Sequence, residues 1–134
     1  MTRRTKIIIS IIVTVVLTFF LSAISINRYN QGQMFYYDFG IFAHIIFQLS
    51  RFQLPIINHL ALGQIIFLGD HFNPGLAIFA PLFWITSDLR ILLIQQALAI
   101  ALTTVLFFFT AKKLGLNKIA SLTVSIAYLI FAGT

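Results

Sequence analysis

Between positions 27 and 90 the chain gathers all three of its acidic side chains, Asp38, Asp70 and Asp88, and all three histidines, His44, His59 and His71. Arg28, Arg51 and Arg90 lie in the same stretch. Two carboxylates with nearby imidazoles can hold a divalent cation, or one carboxylate can act as a general base. Arginine, with its planar fork, suits a phosphate-bearing ligand. Spacing alone leaves plainer roles open for each. Asp38 stands where it can cap a helix, and Asp70 can order the turn before Asn73. His44 falls on the polar face of a helix, where it is solvated, and His59 reads as a loop residue. Asp88, after Ser87, reads as a cap for the helix that starts near Arg90. The three arginines can mark a headgroup boundary, with their stems buried and their charged ends in water.

These residues are positioned by apolar runs. Arg3, Arg4 and Lys6 precede an uninterrupted hydrophobic segment, 7–26, whose roughly 20 residues rise by about 1.5 Å each and match a hydrocarbon core of about 30 Å. A second run, 89–111, is closed by Lys112, Lys113 and Lys118, and a third, 119–134, follows. Six basic residues lie outside the stretch 27–90, whose three Arg and three Asp cancel, so the net charge of +6 sits at the ends of the spans. The positive-inside rule therefore predicts a cytoplasmic N-terminus, a cytoplasmic loop at 112–118 and an outer loop at 27–88, with the plasma membrane as the expected bilayer. A composition of 60% hydrophobic and 9% charged residues belongs to an integral membrane protein. The basic balance thus reports topology, and no polybasic helix or aromatic platform points to nucleic acid. With no cysteine, disulfides and thiolate metal sites are excluded. The first segment is longer than the ~7–15 apolar residues of a secretory signal, so it reads as an uncleaved anchor.

Within the outer loop, Ile41, Phe42, Ile45, Ile46 and Leu49 share one face at helical spacing, while Ala43, His44, Gln48 and Arg51 fall elsewhere and Phe47 breaks the pattern. This predicts an amphipathic juxtamembrane helix at about 39–50. A second is predicted at 74–86, started by Asn73-Pro74 and kinked at Pro81, too short to span and anchored at the interface by Trp84. The stretch 51–68, with Pro55 and no clean period, reads as loop. The expected fold class is all-α integral membrane, with about three transmembrane helices and juxtamembrane helices in a long first outer loop.

The sequence Tyr37-Asp38-Phe39-Gly40-Ile41-Phe42, followed by Leu68-Gly69-Asp70-His71-Phe72-Asn73-Pro74, resembles the pattern of an uncharacterised multipass membrane family, domain of unknown function 2079. The resemblance continues through Ala80-Pro81-Leu82-Phe83-Trp84 and Gln96-Ala97-Leu98 to Ala111-Lys112-Lys113-Leu114-Gly115. Such proteins look like relatives of the GT-C glycosyltransferases, which take a sugar from a polyprenyl-phosphate carrier on the outer face. The resemblance implies an N-terminal part of a GT-C-like fold. In it Asp38 would be the general base or metal-binding carboxylate, and Asp70 with His71 would complete the site. Asp38 and Asp70 would bind a cation such as Mg²⁺ or Mn²⁺, and Arg51 and Arg90 would contact the carrier phosphate. Ala43 stands where family members often carry a further acidic residue, which would remove one ligand. The third run holds only about 16 residues before Thr134, so the expectation is a fragment that is inactive by itself. The alternative is a short non-enzymatic membrane protein in which Asp38 and Asp70 only cap helices.

Overall fold

The computed structural model describes residues 2–34, 39–59 and 61–133. The chain is mostly helical and divides into two compact units. One unit holds the apolar helices, up to Asn27 and from Leu93 onward, and the other is Arg28–Leu92.

In the first unit, α1 (Arg3–Asn30) has 28 residues and α5 (Arg90–Lys113) has 24. At 1.5 Å per residue they reach about 42 and 36 Å, more than a hydrocarbon core requires. Both are long and apolar enough to cross a membrane. Their Ile, Val, Leu and Phe side chains stand largely exposed, Phe19 and Leu106 among them, which is a stable arrangement only where the surroundings are apolar. The third helix, α6 (Lys118–Gly133), is 16 residues long. At about 24 Å it falls short of the length that α1 and α5 attain, so two spanning helices are supported where three were expected. Asn117 caps it, its side-chain oxygen accepting the Ala120 N–H at 2.9 Å. Polar side chains in these helices turn back on their own backbone: Thr18 donates to the Thr14 carbonyl, Thr104 to Ile100 and Ser125 to Ser121. Each removes an unpaired hydroxyl from apolar surroundings.

The second unit is built around α2 (Ile41–Ser50), which Phe39 and Gly40 enter through a wider π-type turn. Sequence periodicity assigned α2 one apolar face. In the fold it is buried on two sides. Ala43 and Ile46 pack with Phe83 and Leu92, while Ile45 packs with Ile57 and Phe67. Phe47, which broke the periodic pattern, meets Phe83 edge to face at 5.7 Å. The segment read as loop contains an antiparallel hairpin, β1 (Ile56–His59) with β2 (Gly63–Ile66), in the register Ile57 to Ile65 and His59 to Gly63. It adds a small sheet to the expected all-α architecture. A short helix, α3 (Phe67–Asp70), follows directly. The single helix expected at 74–86 is two pieces, a 3₁₀ turn Pro74–Phe79 and α4 (Leu82–Ile85). Pro81 has no N–H to continue a ladder and sits at the start of α4 instead. Asn73 precedes the 3₁₀ turn without a side-chain cap, its backbone carbonyl accepting from Leu76 at 3.3 Å.

Three helices end in the same hydrogen-bonded motif. After α1, Gln33 N–H reaches the Arg28 carbonyl and Gly32 N–H that of Tyr29; after α5, Leu116 reaches Ala111 and Gly115 reaches Lys112. After α2, Gln53 reaches Gln48 and Phe52 reaches Leu49, both at 3.0 Å. The six-to-one and five-to-two pairing closes the open carbonyls and requires a left-handed residue just past the helix. Gly32 (φ +70°) and Gly115 (φ +91°) fill that place in two of them, and Phe52 (φ +58°) in the third. A left-handed non-glycine residue costs roughly 1–2 kcal/mol.

Two stability outcomes follow from these contacts. Nothing lies within 4 Å of a Cβ added at Gly115, so Gly115→Ala should cost backbone strain alone, about 1–2 kcal/mol, read as a lower unfolding midpoint in detergent. An unchanged midpoint would show that the turn relaxes. Phe67→Ala should remove about 3–5 kcal/mol, detected as accelerated hydrogen exchange across β1, β2 and α3; exchange unchanged in these elements would show that Phe67 does not hold them.

Candidate functional site

The polar residues of the second unit converge on a groove of about 1220 Å³, lined by His44, Asn58, His59, Asp70, His71 and Arg90 among others. Each arrives there for a local reason. Phe67 is buried and bonded through its N–H to the Pro55 carbonyl at 2.8 Å. One turn later this fixes Asp70 and His71, whose N–H returns to the Phe67 carbonyl at 2.8 Å. The imidazole of His71 stacks on the Phe67 ring, centroids 5.5 Å apart and planes 11° from parallel. Phe67 is itself held edge-on by Phe42 at 5.7 Å.

The pair Asp70 and His71 is the chemically richest contact of the unit. His71 Nδ1 lies 2.9 Å from Asp70 Oδ2, and the imidazole is 64% exposed while the carboxylate is 29% exposed. A carboxylate at Nδ1 holds the neutral ring in the tautomer with hydrogen on Nδ1, which leaves Nε2 as a free lone pair. The ring can thus accept a proton at Nε2, with Asp70 stabilising the imidazolium that forms.

His59 is spent differently. Its Nδ1 accepts the N–H groups of Ala61 and Leu62, both at 3.2 Å, and so closes the hairpin turn. This engages the ring nitrogen that faces the turn and leaves Nε2 as the donor of the neutral form. His44 stands exposed on α2 at the groove. The sequence reads His44 as solvated and His59 as a loop residue; both line the groove with His71, and no spacing rule reveals this because the hairpin that carries His59 is not evident in the sequence.

Arg90 is held at the groove by three contacts. Its guanidinium donates to Asn30 Oδ1 at 3.0 Å, lies 3.5 Å from Asp88 Oδ2, and sits over the Tyr29 ring at 5.9 Å. Asp88 also accepts the Arg90 N–H at 2.9 Å, the capping role expected for it. The planar fork is therefore oriented before any ligand arrives. Arg51 is not among the groove-lining residues; its guanidinium lies 5.4 Å over the Phe47 ring. The two arginines paired in the sequence reading as phosphate contacts thus part company.

Asp38 lies outside the described residues. Among the described residues no three His, Cys, Asp or Glu side chains come together as a group able to hold a metal. Asp70 and His71 offer two donors already bonded to each other, so the described donors do not by themselves make a cation site.

No curated protein and no solved structure is significantly similar to the chain. One family does match, described as predicted membrane protein (DUF2079), over residues 17–133. Those residues take in the second half of α1, the whole unit that carries the groove, and both α5 and α6. The chain therefore belongs to the DUF2079 family of predicted membrane proteins.

Proposed function

We propose that the unit Arg28–Leu92 lies on the outer face of the plasma membrane and forms part of a sugar-transfer site of GT-C type, fed by a polyprenyl-phosphate-linked donor. The observation that carries this reading is the Asp70–His71 pair, an oriented imidazole exposed on a groove that Arg90 also lines. His71 Nε2 removes the proton from an acceptor hydroxyl as its oxygen attacks the anomeric carbon. The bond from that carbon to the carrier phosphate breaks, and the electron pair leaves with the polyprenyl phosphate. Arg90 stabilises the negative charge that gathers on the phosphate oxygens, and Asp70 stabilises the imidazolium. A Mg²⁺ or Mn²⁺ ion enters this scheme only if Asp38 joins Asp70 as a second carboxylate.

In membranes from cells making the native protein, transfer of radiolabelled sugar from the polyprenyl-phosphate donor should fall by about 10²–10⁴-fold in His71→Ala and comparably in Asp70→Asn, which favours the wrong tautomer. Transfer retained in both variants would remove the catalytic assignment. The second reading, a non-enzymatic membrane protein, is favoured by Asp88 and His59, whose side chains are bonded to backbone N–H groups. It predicts a loss of about 1 kcal/mol of stability from Asp88→Ala and no transfer by wild type.

The proposed orientation has its own test, since the chain has no native cysteine. Ala61→Cys should react with a membrane-impermeant maleimide in intact cells, and Leu114→Cys only after permeabilisation. The reverse pattern would invert the topology and remove the outer-face reading.

A further inference from the structure

The second unit carries an aromatic surface that the groove does not use. At the end of α2 the polypeptide turns through Phe52, whose φ of +58° is the only positive value at a non-glycine residue among the described residues, and whose side chain is 89% exposed. The same motif takes glycine after α1 and α5. A left-handed aromatic residue facing water would carry two penalties at once, backbone strain and exposed hydrocarbon. Its ring lies 6.2 Å from that of Trp84. Trp84 is 59% exposed, yet its Nε1–H is bonded to the Ser50 carbonyl at 2.8 Å. With the polar edge of the indole satisfied inside the protein, what Trp84 presents outward is hydrocarbon.

Arg51 precedes Phe52 directly. Its charge rests over the Phe47 ring, and the described carboxylates are engaged elsewhere, Asp70 with His71 and Asp88 with Arg90. Leu54, two positions after Phe52, and Ile85, next to Trp84, are also exposed. The unit is continuous at both ends with helices of membrane-spanning length, so its surfaces are tethered within reach of a bilayer.

We infer that Phe52 and Trp84 insert together into the interfacial layer of the surrounding bilayer, and that Arg51 binds the phosphate of an anionic phospholipid headgroup there. Aromatic rings and arginine divide this layer in the required way, rings at the glycerol level and the guanidinium at the phosphates. The occupant is bulk phospholipid. This assignment stands apart from the sugar-transfer reading, and failure of either leaves the other intact.

Trp84 is the chain's single tryptophan, so its fluorescence reports this surface alone. The full chain would be reconstituted into phosphatidylcholine vesicles, with and without an equal part of phosphatidylglycerol, using lipid brominated high on the acyl chain as one quencher and aqueous iodide as the other. The expected result is blue-shifted emission, quenched severalfold more by bromolipid than by iodide, with the bromolipid quenching increased by phosphatidylglycerol. Arg51→Gln should abolish that increase. Phe52→Gly, which suits the left-handed turn, should move quenching from bromolipid toward iodide. Emission quenched mainly by iodide in wild type would place the surface in water and overturn the inference. Shielding from both quenchers would mean a protein covers Trp84, whether a second copy or another partner, and would overturn it equally. Quenching by bromolipid that ignores both phosphatidylglycerol and Arg51→Gln would overturn the headgroup assignment.

Discussion

A helix of four residues has no stability of its own in water, because a first turn fixes several dihedral angles for one hydrogen bond. α3 is such a helix, and it holds its place because Phe67 is wedged against α2 and β1. That single buried ring does three things. It closes the apolar cluster of Ile45 and Ile57, anchors the backbone through the Pro55 carbonyl, and offers a flat face on which His71 lies. The orientation of the Asp70–His71 pair is thus a consequence of core packing, passed on through the contacts of His71 with Phe67. A site built on a packed ring is held more closely than one built on a free loop.

α2 makes this possible by being buried on two sides. One side receives the 3₁₀ turn and α4, the other receives the hairpin and α3. Its C-terminal carbonyls are fully employed: Gln48 and Leu49 by the turn, Ser50 by the Trp84 indole. The Gln48 side chain additionally accepts the Ile56 N–H at 3.0 Å. Since buried backbone carbonyls must find donors, the Ser50 carbonyl helps set where α4 attaches, while the Gln48 side chain ties down the start of β1. The strained residue of the unit, Phe52, lies at this junction, where the surrounding bonds are dense enough to hold an unfavourable backbone angle.

How much of this could be read from the sequence depends on the range of the interaction concerned. The spans of α1 and α5 were legible because a long apolar run is a local signal that no tertiary contact can reverse. The cap at Asp88 was legible for the same reason, being short-range hydrogen-bond chemistry, whereas at Pro81 a kink was expected within one helix and the fold has two separate pieces. The hairpin was hidden: its strands are four residues each and only Ile57 is buried, so no alternation stands out. The two-sided burial of α2 was hidden because Ala43 and Phe47 look like exceptions to a one-faced pattern. In the site, the adjacency of Asp70 and His71 was plain. That Arg90 lines the same groove and Arg51 does not depended on contacts such as Arg90 with Asn30, sixty positions apart.

The basic residues show why composition alone undersells such a chain. Charge counting treats them as equivalent, and for topology they are summed that way. In the fold each is defined by what surrounds it. Lys112 donates to the Leu116 carbonyl at 2.9 Å and so closes the end of α5, where a cation also suits the helix dipole. Arg90 is clamped by Asn30, Asp88 and Tyr29 and faces the groove as a fixed fork. Arg51 rests over the Phe47 ring, and among the described residues neither Asp70 nor Asp88 pairs with it. A guanidinium has five donors in a rigid plane. One held by a carboxylate and an amide is already oriented toward a ligand in the groove, while one resting on a ring at the edge of an aromatic surface is suited to phosphates spread across a membrane. Under the two proposals the same side chain would serve recognition in one place and anchoring in the other, and the difference is made by its neighbours.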